Sequence, residues 1–167
     1  AALDAFHDRK VNVTVCRAEG GAAMMAEAVG KATGRPGICF VTRGPGATNA
    51  SPGLHIARQD STPLILFVGQ VARDMREREA FQELDYRAVF GTVAKWTTEI
   101  DDPARIPELV SRAFYTATSG RPGRAAPACT RARWRSERAG RPARAVWRRS
   151  RGRRRTCSHA RPPASRR

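Results

Sequence analysis

Six consecutive residues without a polar side chain, residues 63–68 (Pro-Leu-Ile-Leu-Phe-Val), set the strongest limit on what this chain can build. A strand with one wet face alternates apolar and polar side chains, whereas a strand that is apolar on both sides has to be covered on both. That is the situation of a parallel sheet sandwiched between helices. The run is also far shorter than the ~18 apolar residues that a membrane-crossing helix needs, and no other run reaches that length.

The text on either side repeats a strand-then-helix rhythm. Residues 11–16 are a short β-branched run and read as a strand. From Gly20 to Thr33, Ala22, Ala23, Ala26, Val29 and Gly30 recur at helical spacing and stop at Gly34-Arg35-Pro36-Gly37. Residues 38–42 read as another strand, residues 47–59 as a helix with Leu54, Ile56 and Ala57 available to a core, and residues 94–97 as a weaker strand. Asp102-Pro103 opens a further helix by placing an N-cap acid before a proline. Ile106, Leu109, Val110, Ala113, Phe114 and Ala117 form its apolar stripe, with Arg105, Glu108 and Arg112 facing out. The expected architecture is a three-layer α/β domain with a mostly parallel sheet and right-handed crossovers.

Charge divides the chain in two. Residues 1–123 carry 15 Lys+Arg against 14 Asp+Glu, while residues 124–167 carry 16 Arg against the single acid Glu137. The second stretch contains no Leu, Ile, Met, Phe or Tyr, and so has little to bury against a core. It is expected to be disordered, with the domain boundary at 123/124. Two readings of it stand side by side. One is an arginine-rich arm that contacts nucleic-acid phosphates while Trp134 and Trp147 stack on bases. The other is an out-of-frame C-terminus, because 31 of its 44 residues are Arg, Ala, Pro or Gly and it has no Lys, as a G+C-rich gene read in a shifted frame would produce. The N-terminus lacks a signal-peptide pattern, and the body reads as cytoplasmic. The four cysteines form no C-x-x-C pair, and His7, His55 and His159 match no metal or triad spacing, so no metal site is assigned.

Three segments go beyond generic α/β text. Arg17-Ala18-Glu19-Gly20-Gly21-Ala22-Ala23 puts a carboxylate between a strand and a helix, beside residues small enough for a flat ligand to approach the backbone. Thr42-Arg43-Gly44-Pro45-Gly46-Ala47-Thr48-Asn49 is a tight turn at the next strand's carboxyl end. Ala80-Phe81-Gln82-Glu83 lies in a polar loop. Ligands of open parallel sheets sit at the carboxyl ends of strands, which puts the first two segments at one edge. Taken singly, each has an ordinary explanation: Glu19 as an acid at a helix N-terminus, the glycines as a sharp turn, Gln82 as a solvated loop residue.

Taken in order, they resemble the N-terminal, pyrimidine-binding domain of thiamine-diphosphate enzymes of the acetolactate synthase and pyruvate oxidase group. The resemblance also rests on Ala32-Thr33-Gly34, Asp60-Ser61-x-Pro63, Gly69-Gln70-Val71 and Ser119-Gly120-Arg121-Pro122-Gly123, and it covers residues 1–123. It implies that Glu19 hydrogen-bonds N1′ of the cofactor's aminopyrimidine ring and shares a proton with it, so that the 4′-nitrogen can remove the thiazolium C2 proton. Pro45 and Asn49 would line the pyrimidine and the subunit contact, and Gln82 would approach the substrate side. The implied substrate is a 2-keto acid, and the implied activity that of a carboligase or decarboxylase working as a homodimer or tetramer.

Departures from the family pattern carry their own expectations. Many members have His-Glu-Gln where this chain has Ala18-Glu19-Gly20. The first strand and helix that usually precede Leu3 do not appear. After Gly123 the family continues with a Pro-Val-Val-like strand, and this chain reads Arg124-Ala125-Ala126, so the sheet is expected to lack that strand. The diphosphate- and magnesium-binding domain is not in the sequence, and the fragment is expected to be inactive alone.

Overall fold

The computed structural model describes residues 2–120 and the backbone of residues 124–131. The elements in chain order are α1 (Ala2–Asp8), α2 (Glu19–Thr33), β1 (Gly37–Val41), α3 (Pro45–Asn49), α4 (Ser51–Gln59), β2 (Leu64–Ala72), α5 (Tyr86–Phe90), β3 (Trp96–Ile100), α6 (Ile106–Thr118) and β4 (Arg124–Arg131). The four strands form one sheet in the order β1-β2-β4-β3, and every pair is parallel.

The apolar run at the start of β2 is explained by what covers it. Leu64, Leu66 and Val68 belong to a core cluster shared with Ala23 and Ala26 of α2, Leu54 and Ala57 of α4, and Tyr86 and Phe90 of α5. Ile65 and Phe67 belong to a second cluster, with Ala113 and Ala117 of α6. Successive side chains of a strand point to opposite faces, so this division makes three layers of helix, sheet and helix, as the sequence predicts. On the α6 side, at the β1 edge, Phe40 stacks on Phe67 at 4.5 Å between ring centroids, and Phe6 of α1 meets Phe40 edge-on at 5.2 Å.

Close helix packing depends on missing side chains. A Cβ on Gly53 would lie 2.6 Å from the Ala23 Cβ, and one on Gly37 would lie 1.7 Å from the Ala26 carbonyl oxygen. Glycine at these positions lets α4 and β1 press against α2. Cys39 is buried beside this contact, and burial, with a smaller contribution from Cys16, pushes its thiol up to about 11. It behaves as a small hydrophobe.

Several expectations need correction. Residues 11–16 form no strand, and Val11, Val13 and Val15 are all exposed. Among the described residues this segment pairs with no strand, and β-branched side chains alone do not make a ladder. The helix expected over 47–59 is two helices meeting at Ala50. Pro52 lacks the N–H that would bond back four residues, and proline suits the first turn of a new helix. Val29, Ile56 and Phe114, expected in the core, are exposed, and Glu27 is buried instead, accepting from the Thr62 hydroxyl at 2.9 Å. Strand β3 starts at Trp96 and ends at Ile100 rather than covering 94–97. Glu99 fits inside it because its carboxylate pairs with the Arg76 guanidinium.

The largest correction concerns the arginine-rich stretch. Residues 124–131 are not disordered but form β4, which fills the central slot between β2 and β3. Parallel ladders are made by backbone groups, which every residue but proline supplies in full. The two arginines of this segment fall at its ends, and Ala125, Ala126, Ala128 and Cys129 are small. Pro127, opposite Thr98, has no N–H and costs the ladder one rung. Residues 132–167, and with them Trp134 and Trp147, lie outside the described residues, and β4 carries the sheet past the boundary expected at 123/124.

Gly37→Ala forces β1 away from the α2 backbone. It is expected to destabilise the domain by about 1–3 kcal/mol, read from the midpoint of urea unfolding, with an unchanged midpoint as the contrary result.

Candidate functional site

The site is assembled at the carboxyl edge of the sheet. Glu19 is the first residue of α2, and its side chain is half-buried. Thr42 to Gly46 leave the end of β1 and turn into α3, with Gly44 as N-cap at φ +59 and ψ −118, a conformation open to glycine. Pro45 occupies the first turn of α3, and Asn49 is its last residue. The Thr48 backbone N–H donates to the Gly44 carbonyl at 3.1 Å, starting the short helix.

These pieces face each other. The Asn49 side-chain amide donates to Glu19 Oε2 at 3.4 Å, a long contact. A Cβ placed on Gly46 would lie 3.4 Å from Glu19 Oε1, and one on Gly20 would lie 3.1 Å from the Asn49 carbonyl oxygen. The carboxylate therefore sits over the Gly-Pro-Gly turn. Gly21, next in α2, has open space where a side chain would be. Acid, turn and asparagine thus meet at a surface built largely of small residues.

Gln82 reaches the same turn from another part of the chain. A Cβ on Gly44 would lie 2.6 Å from the Gln82 Cβ, and the Arg43 Nε donates to the Phe81 carbonyl at 3.0 Å. Gln82 adopts φ +63, and Glu77 and Glu79 in the same loop are at +59 and +54. Left-handed backbone is unfavourable for such residues by roughly 1 kcal/mol each, so the loop needs holding. Glu83 does that. Its two carboxylate oxygens accept the Glu77 N–H at 2.7 Å and the Ala80 N–H at 3.1 Å. The hydrogen bond from Glu77 is the main cause of a carboxyl held below the ordinary glutamate range, opposed by partial desolvation.

The structure thus brings together all four residues singled out in the sequence: Glu19, Pro45, Asn49 and Gln82. Of two further neighbours, Gln70 lies in the Gly69-Gln70-Val71 element already noted, without a role assigned to it, and Tyr86 was missed. Gln70 is buried within β2, donating to the Leu84 carbonyl at 2.8 Å and accepting from Val71 N–H at 2.9 Å, which lets the strand run past Val68 to Ala72. Tyr86 is fully buried in α5, and its hydroxyl oxygen accepts the Gly44 N–H at 2.8 Å. The available signal was Asp85 before an apolar pair four residues apart, Tyr86 and Phe90. Asp85 caps α5 by accepting from the Arg87 and Ala88 backbone. A separate cleft of about 460 Å³, lined by Gln70, Arg76, Glu83, Arg87 and Glu99 among others, does not include Glu19 or Pro45.

The carboxyl edge of a parallel α/β sheet thus presents a helix-starting glutamate to a glycine-proline-glycine turn. Residues 1–89 match the family model described as thiamine pyrophosphate enzyme, N-terminal TPP binding domain, and the chain belongs to that family. It is 41% identical over 125 residues to an acetolactate synthase of Bacillus subtilis, a match covering 75% of this chain and 22% of that protein. It is 40% identical over 121 residues to the acetolactate synthase large subunit of Lactococcus lactis, covering 72% and 21%. With a chloroplastic acetolactate synthase of Brassica napus the identity is 45% over 107 residues, covering 64% and 16%. The chain spans about a fifth of the length of the curated relatives it matches.

A depressed carboxyl pKa stabilises the native state above the group's ordinary value, and that contribution fades as pH falls through the lowered native value. The amide resonances of Glu77 and Ala80 are therefore expected to titrate in acid with a midpoint below that of an ordinary glutamate. They should be flat over the same range in Glu83→Ala, and a wild-type midpoint at or above the ordinary value would contradict the assignment.

Proposed function

We propose that this domain receives the aminopyrimidine ring of thiamine diphosphate over the turn that follows β1, as one half of an acetolactate synthase-like site for 2-keto acids. The observation that carries the reading is the position of the Glu19 carboxylate, above Gly46 and within reach of Asn49. The residues are compatible with a flat ring: Gly21 has open space where a side chain would be, Gly20 and Gly46 let Asn49, Thr42 and Glu19 close up on the turn, and the acid is half-buried beside it.

In this reading Glu19 holds one proton against a ring nitrogen, which is general acid and base work at a single atom. Asn49 orients the carboxylate, Pro45 lines the ring and the subunit contact, and Gln82 borders the substrate. Bound thiamine diphosphate supplies the carbanion chemistry by which 2-keto acids lose carbon dioxide or are joined. Among the described residues no group of three or more His, Cys, Asp or Glu side chains is placed to hold a metal ion, so no ligand for the diphosphate's magnesium is assigned here. The family resemblance implies that this end of the cofactor is held by a partner subunit's diphosphate domain in a dimer or tetramer. The chain by itself then binds the pyrimidine and does not turn over pyruvate.

The test is calorimetric titration of the purified 167-residue chain with thiamine, and with thiamine diphosphate plus magnesium. Heat of binding is expected with both ligands, and Glu19→Gln is expected to weaken it by tenfold or more, since hydrogen bonds to a charged group contribute about 1.5–3 kcal/mol. Equal binding by wild type and variant would refute the role of Glu19, and pyruvate consumption by the chain alone would refute its dependence on a partner.

The charge of the C-terminal stretch favours a second reading, in which residues 132–167 form a nucleic-acid arm. It predicts retention on RNA that falls steeply with salt and disappears when residues 132–167 are removed, with β4 left in place. Recovery of a Pro-Val-Val-like continuation in another reading frame of the gene would instead support an out-of-frame origin.

A further inference from the structure

We propose that Tyr86 is the positioning residue of the candidate cofactor turn, acting through a single hydrogen bond to the backbone of Gly44. The proposal rests on the thiamine reading above and adds to it a residue outside the motifs that suggested that reading.

Gly44 is the pivot of the turn. Its carbonyl starts α3, the helix that carries Asn49 to Glu19, and its φ and ψ lie where other residues are strained. A glycine is free to leave such a conformation, because it has so many others open to it. Something has to hold its N–H, which points away from α3. The Tyr86 hydroxyl oxygen does so at 2.8 Å, in a fully buried position where no water competes.

Tyr86 is itself immobilised. Its ring lies nearly parallel to Phe90, with centroids 6.2 Å apart and an interplanar angle of 13°, and both rings belong to the core cluster under β2. Asp85 caps the same helix at its N-terminus. The hydroxyl is therefore a fixed acceptor anchored in the core, and it fixes the turn from below while Gln82 and the Phe81 carbonyl meet Arg43 and Gly44 from the side. A phenylalanine in its place would keep the packing and remove the acceptor.

The experiment compares the full chain with Tyr86→Phe and Ile65→Val, using thiamine as the probe and NMR to follow backbone amides. In Tyr86→Phe the Gly44 amide is expected to shift and to exchange with solvent faster, and the thiamine dissociation constant to rise about three- to tenfold, the range of one neutral hydrogen bond. Ile65→Val lowers the thermal midpoint through the cluster on the other face of the sheet, which holds neither Tyr86 nor Phe90, and should leave the Gly44 amide and thiamine affinity unchanged. Unaltered affinity in Tyr86→Phe overturns the proposal alone. Equal weakening by both variants also overturns it, because the effect would then follow stability rather than the hydrogen bond. Absence of thiamine binding by the wild-type chain overturns the cofactor reading and this proposal together.

Discussion

Burial of β2 on both faces is the constraint from which the remaining architecture follows. Leu64, Leu66 and Val68 require helices on one side, and Ile65 and Phe67 require them on the other. Neither requirement can be met by one helix, so the chain must pass from layer to layer, and parallel strands joined by helices are the economical way to do it. The helices of the first layer approach closely only because Gly37 and Gly53 carry no side chains. Glycine thus serves the packing of the domain as well as its site.

The site inherits its geometry from this arrangement rather than from local sequence alone. Glu19 and the turn at Gly44 are 25 residues apart, and they meet because α2 packs beside β1 and both α2's start and β1's end lie at one edge. Gln82 and Tyr86 arrive there through the segment between β2 and β3. The turn is consequently contacted from three parts of the chain, through the Gly44 backbone, the Arg43 side chain and the space where the glycines carry no side chain. Such a surface is shaped more by what is absent than by what projects into it.

The parts of this fold that were legible in the sequence are those with a strong local pattern. The apolar run of β2, the stripe of α6 and its Asp102 cap, and the glycine stop after Thr33 all announce themselves in a few residues. The candidate site residues were legible because their order and spacing match a family pattern, and without that pattern Glu19 and Gln82 look ordinary. What could not be read was decided by distant partners. Residues 11–16 have strand composition and no ladder pairing, whereas the Glu99 and Gln70 side chains look polar and are buried because Arg76, Leu84 and each other satisfy them. Tyr86 gave no sign of its contact with Gly44, 42 residues away. Composition misled most at β4, where an average over 44 residues concealed eight whose two arginines stand at the ends.

That central strand is also the latest of the four in the chain. Until residues 124–131 emerge and insert, β2 and β3 have no shared neighbour, and the β1-β2 pair and β3 can associate only through helices. The sheet is therefore joined in the middle by the one segment whose main-chain groups meet both β2 and β3. The segment written last in the chain is thus the one on which the continuity of the whole sheet depends.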